Sequence, residues 1–90
     1  MAIVRGDRGV LKAGHQIAAL VGPWSASIQP NGETVDVTIE ATVRQRHPVY
    51  SRWRPVDLIL TVYNREWIWT DVDLGEGETV TVHAGPPRIR

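Results

Sequence analysis

The segment from Trp24 to Val43 constrains the fold more than any other. Trp24, Ala26 and Ile28 alternate with Ser25, Ser27 and Gln29. Asn31-Gly32 follows, a dipeptide in which both residues tolerate positive φ and which marks a two-residue hairpin turn. Beyond it Val35, Val37, Ile39, Ala41 and Val43 alternate with Asp36, Thr38, Glu40 and Thr42. A period of two sends all the apolar side chains to one face of an extended chain. A loop at Asn31-Gly32 pairs Ile28 with Val35, Ala26 with Val37 and Trp24 with Ile39. Turn and pattern agree on one apolar face, which is what fixes a register.

The remaining chain follows the same grammar. Val, Ile and Thr, the β-branched residues, supply 26 of 90 positions, and their stiff side chains suit a pleated sheet. No stretch shows apolar residues at helical spacing between caps. Residues 15–22 carry a short apolar run. Val56, Leu58, Leu60 and Val62 form one face, opposite Asp57, Ile59, Thr61 and Tyr63. Asn64-Arg65 reads as a turn, and the strand 66–70 returns with Trp67 and Trp69 on one side and Ile68 on the other. Thr79 to Ala84 alternates again, with Val80 and Val82 inward. Residues 1–14 hold Gly and Ala breaks and read as an N-terminal arm or edge strand. The Pro86-Pro87 tail, 85–90, cannot continue a central strand. Six to eight strands at spacings of about 8–12 residues are the rhythm of a two-sheet antiparallel β-sandwich. The domain is expected over 15–84, with extended arms at both ends.

The phrase Gly32-Glu-Thr-Val-Asp-Val37 recurs as Gly77-Glu-Thr-Val-Thr-Val82. The match ends after six residues, so both are read as turn-into-strand openings. On these two openings, and the crossing strand Val56–Asn64, residues 32–84 resemble bacterial immunoglobulin-like domains of the adhesion-related and fibronectin type. The resemblance implies a single immunoglobulin-like antiparallel β-sandwich. It carries no functional residue. The chain departs from the pattern at the Arg-rich stretch 44–55, where such domains have a short turn.

Composition removes several functions. The chain has no cysteine, which excludes disulfides, thiolate metal sites and cysteine nucleophiles. Ten basic and ten acidic residues cancel, whereas nucleic-acid-binding domains are usually strongly basic. No apolar run reaches the 18–20 residues or so that span a bilayer. Met1 to Gly6 lacks a charged start followed by an apolar stretch, so synthesis in the cytoplasm without a signal peptide is expected. His15, His47 and His83 are isolated, and no Gly-x-Ser-x-Gly elbow or Gly-rich phosphate loop occurs. No enzyme activity, cofactor or metal is expected.

Three features could carry binding. Arg44, Arg46, His47, Tyr50, Arg52, Trp53 and Arg54 bring four positive charges and two aromatics together with no acid between them. Arg beside Trp and Tyr concentrates binding energy at protein interfaces. The same mixture suits phosphate contact with base stacking, or stays a solvated loop. Asp71, Asp73, Glu76 and Glu78 form the opposite patch. Asp71-x-Asp73-x-Gly75 resembles the start of a calcium loop, but the later EF-hand ligands are missing. A solvated turn or electrostatic docking on a basic patch remains. If the two patches lie at opposite ends, copies can join head to tail into rings or filaments. Finally, Trp67 and Trp69 either fill the core, as large aromatics do in sandwiches, or present a face to protein or sugar.

The expectation is a structural, non-enzymatic protein docking on protein: copies of itself, a larger scaffold, or both. A lone disulfide-free sandwich with arms resembles small accessory proteins of tailed-phage particles, in capsid decoration, at the head-tail joint or in the tail. In that setting Arg52, Trp53 and Arg54 anchor the contact, and Arg88 and Arg90 clamp a neighbour's acidic surface. Sugar binding through Trp67 and Trp69 and nucleic-acid binding through residues 44–54 are the alternatives.

Overall fold

A computed structural model describes residues 2–46, 56–72 and 79–90. All its regular elements are strands: β1 (Ala2–Gly6), β2 (Gly9–Ala13), β3 (Gln16–Asn31), β4 (Thr34–Arg46), β5 (Val56–Val62), β6 (Arg65–Val72), β7 (Thr79–Ala84) and β8 (Arg88–Ile89). They hydrogen-bond into one antiparallel sheet of order β7-β4-β3-β2-β5-β6-β8, with β1 also paired to β3. The sheet curls into a half-barrel. Its enclosed face carries Leu11, Val21, Trp24, Ile39, Leu58, Leu60 and Trp69 in one core. The layers thus come from the curvature of one sheet.

The hairpin of β3 and β4 keeps the expected faces but changes register. Asn31 pairs with Thr34, Ile28 with Val37, Ala26 with Ile39 and Trp24 with Ala41. The turn residues are therefore Gly32 and Glu33, not Asn31 and Gly32. Gly32 has φ 66 and Glu33 is not in the positive-φ region. This is the sign pattern of a type II′ turn, which asks for Gly at the first central position. Asn31 caps the turn from outside, donating from Nδ2 to Asp36 Oδ2 at 2.9 Å. A turn displaced by one residue moves every pair by two, so each side chain keeps its face.

The second hairpin shifts in the same way. Val62 pairs with Arg65, so the turn is Tyr63-Asn64, not Asn64-Arg65. Both residues have positive φ, 48 and 65, as a type I′ turn requires. Asn tolerates that conformation, whereas Tyr is strained in it. Tyr63 is 91% exposed and packs on little. Tyr63→Asn is therefore expected to raise stability by about 1 kcal/mol, measured by chemical denaturation. A decrease would show that the Tyr63 ring contributes more than its backbone strain costs.

Both termini join the sheet, β1 as an edge strand paired only with β3 and β8 as a short pairing at the far end of the order. Residues 2–13 are built into the sheet as β1 and β2, and β2 lies between β3 and β5. Gly9 is no break: a Cβ there would come 2.8 Å from Leu60 Cδ2, so its bareness lets two strands approach. The tail also docks on its own chain. Arg88 and Ile89 pair with Ile68 and Trp67, and Arg90 exchanges backbone hydrogen bonds with Glu66.

The bend that allows the curl sits at one point. β1 ends at Gly6 opposite Trp24, and β2 restarts at Gly9 opposite Val21. Asp7-Arg8 and Gly22-Pro23 face each other unpaired between them. Across the other edge of β3 the register with β4 slips between Val21 and Trp24. Bulges bend a strand and raise its twist. Trp24 fills the inside of the bend, its indole N–H donating to Arg8 O at 2.9 Å.

Candidate functional site

Alternation on the inner face leaves a second row outside. Leu20 pairs with Val10, Val10 with Ile59 and Ile59 with Ile68. These four half-buried side chains make an apolar stripe across β3, β2, β5 and β6. Its ends are polar: Gln45 opposite Leu20 and Arg88 opposite Ile68. A parallel row two residues away is polar throughout. Thr61 N–H donates to Arg8 O at 3.1 Å, Thr61 pairs with Glu66, and Glu66 pairs with Arg90. On the other flank Lys12 pairs with Asp57.

Leu20, Val10 and Ile59 of this stripe are the floor of an open groove of about 560 Å³. Arg8, Lys12, Arg44 and Arg90 line it, with Glu66 as the one carboxylate among the lining residues. An apolar floor with a cationic rim can desolvate aliphatic groups while matching carboxylates around them. Bare Lys and Arg side chains also cover apolar floor with their stems.

Of the residues expected to bind, this groove collects Arg44 and Arg90, with Arg88 at the end of its stripe. Arg46 lies in β4 opposite Ala19. His47, Tyr50, Arg52, Trp53, Arg54, Asp73, Glu76 and Glu78 lie outside the described residues. Asp71 is exposed with φ 55, on β6. Arg8, Lys12 and Glu66 did not stand out in the sequence. Arg8 and Lys12 lie far from Glu66 in the chain, and only the pairing of β2 with β5 and β5 with β6 assembles them.

The described ends of the two charged segments are neighbours. Val56, after the basic segment, pairs with Val72, before the acidic one, and Thr42 pairs with Thr79. The charged residues between these flanks lie outside the described residues, so the two patches of the sequence are not placed relative to one another.

The tryptophans are also placed. Trp69 is 4% exposed and donates its indole N–H to Gly85 O at 2.7 Å. Trp67 is half-buried against the core, edge-on to Trp69 with ring centroids 6.2 Å apart and planes at 70°. They do not form a flat exposed pair on which a sugar could stack.

His83 is exposed, with Nδ1 3.4 Å from Thr38 Oγ1. Among the described residues no group of three His, Cys, Asp or Glu is placed to hold a metal ion, and no helix is long and apolar enough to cross a membrane. The chain matches no family model, no curated protein and no solved structure.

Proposed function

We propose that the chain is a non-enzymatic assembly module that docks on an acidic protein surface through the outer groove. The observation that carries this reading is the apolar floor Leu20–Val10–Ile59 beneath four cations and one carboxylate. The setting we favour is a phage or virus particle, where small β-proteins cover or join larger shells. The immunoglobulin-like kinship rests on the strand phrasing of residues 32–84 alone. A solved relative with two separate sheets would support it, and one with a single curled sheet would remove it.

The test uses a labelled peptide alternating Glu with Leu, and a single-stranded oligonucleotide of equal charge. The peptide is expected to bind, and Lys12→Glu with Arg44→Glu to weaken it by about tenfold or more, since each tenfold is about 1.4 kcal/mol of lost charge matching. Both positions are on the outer face, so the fold should be kept, with a small loss of thermal stability where the new carboxylate at position 12 faces Asp57. Preferential oligonucleotide binding that falls steeply with salt transfers the groove to nucleic acid. Binding of neither probe removes the docking reading.

A further inference from the structure

The pairing of β2 with β3 carries an irregularity whose effect falls outside the core. Leu11 pairs with Ala19 and Lys12 with Ile17, so Ala18 is an extra residue on β3. Such a bulge re-aims the side chains beyond it. Val21 and Ala19 are buried in the core. Strict alternation from them would send Ile17 inward as well. The extra residue reverses the parity, and Ile17 stands opposite Lys12 with 48% of its surface exposed.

Single exposed apolar side chains are common on protein surfaces. Ile17 differs because it walls a recess. Ile17, Ala18, Ala19 and Leu20, with Gln45 of β4, line an open hollow of about 210 Å³. The two alanines leave the room, and none of the lining residues is charged. The hollow adjoins the cationic groove. Leu20 lines both, and Lys12 on the groove's rim is the pairing partner of Ile17. An uncharged recess beside a charged rim is the anatomy of an anchor site, where one buried side chain carries much of the affinity and the rim sets orientation.

We propose that this hollow is the anchor pocket of the outer groove, and that it takes one large aliphatic or aromatic side chain of an acidic protein partner. The inference rests on the groove reading and adds the partner's chemistry: a Leu- or Phe-sized residue flanked by carboxylates that face Lys12 and Arg44. Size fits a single side chain, since pockets for drug-sized molecules begin at about 300 Å³. Charge selects the partner. The groove beside the hollow is lined by four cations and one carboxylate, so flanking acids are matched there. A second copy docking by the same patch would set cations against cations, because a two-fold interface opposes identical surfaces.

Two labelled peptides of equal charge separate the hollow from the groove: one alternates Glu with Leu, the other Glu with Ser. The wild type is expected to bind the Leu peptide about tenfold or more tighter, the effect of burying one Leu side chain. Ile17→Ser should bring the two peptides close to level, and Ile17→Leu should keep the preference. Lys12→Glu with Arg44→Glu should weaken both peptides. Circular dichroism checks that each variant is folded. Methyl resonances give a readout without any substitution: those of Ile17 and Ala18 should shift with the Leu peptide and stay in place with the Ser peptide. Equal binding of the two peptides by the wild type overturns the anchor pocket and leaves the groove standing. A preference that survives Ile17→Ser also overturns it, and places the apolar contact on Val10 and Ile59. Binding of neither peptide removes groove and pocket together. A wild type that dimerises alone by light scattering, and an Ile17→Ser variant that does not, would give the hollow to a second copy and overturn the acidic partner.

Discussion

Gly22→Ala is expected to destabilise the chain by at least about 3 kcal/mol, a large share of the roughly 5–15 kcal/mol that holds a small domain together. Two separate terms add. The residue has φ 147, a conformation that L side chains rarely adopt and that costs about 1–3 kcal/mol when forced. A Cβ at this position would also drive into the Asp7 carbonyl, coming within van der Waals contact of its oxygen and 2.7 Å from its carbon. The obstacle is backbone, which cannot rotate away as a flexible side chain can. Relief would require Asp7-Arg8 to move off β3, and Arg8 O is the acceptor for the Trp24 indole. The strain therefore reaches the core at the bend. Gly14→Ala is the control. Gly14 has φ 66 and nothing within 4 Å of its added Cβ, so only the backbone term applies, about 1 kcal/mol. Urea denaturation of both variants decides the matter. Equal losses would mean that the close approach to Asp7 contributes nothing.

The same bend shows how far the sequence is readable. Alternation survives where one face is wet, so the faces of β4 and β5 are legible from Val35–Val43 and Val56–Val62. It is blurred where the outward residue is apolar as well, because apolar residues then run together. Ile17-Ala-Ala-Leu-Val21, Leu58-Ile-Leu60 and Trp67-Ile-Trp69 are such runs, and Leu20, Ile59 and Ile68 are their outward members. The runs read as strands, but not as the floor of a groove. Residues 1–14 mislead for a different reason. Gly6 and Gly9 look like breakers, yet a Cβ at Gly6 would meet the Trp24 ring at 2.5 Å. Their role is set by long-range packing, which no local pattern contains. The groove itself depends on β2 lying beside β5, about fifty residues away in the chain, whereas its Arg44 and Arg90 are visible as isolated cations.

Trp69→Ala is expected to be the most damaging side-chain truncation on β6, at about 3–5 kcal/mol for a buried Trp. The loss has three parts. Trp69 is buried at 4% exposure, so removing the indole leaves a cavity under the sheet. The edge-on contact with Trp67 disappears, an interaction worth about 0.5–1.5 kcal/mol beyond area. The bond to Gly85 O is also lost, and Gly85 joins β7 on one edge of the curled sheet to the segment carrying β8 on the other. That link holds the two ends of the half-barrel together. Trp69→Phe separates the parts, since it retains a large ring in the core while removing the donor. Its cost should be about 1–2 kcal/mol, the net worth of one partly buried hydrogen bond with some repacking. Local opening should exceed global loss in that variant. Amides at Glu66 and Arg90, which bond each other's carbonyls, are expected to exchange faster while those of β3 and β4 keep wild-type rates. Unchanged exchange at Glu66 and Arg90 would show that β8 holds its place without the indole, and that the link through Gly85 does not secure the edge.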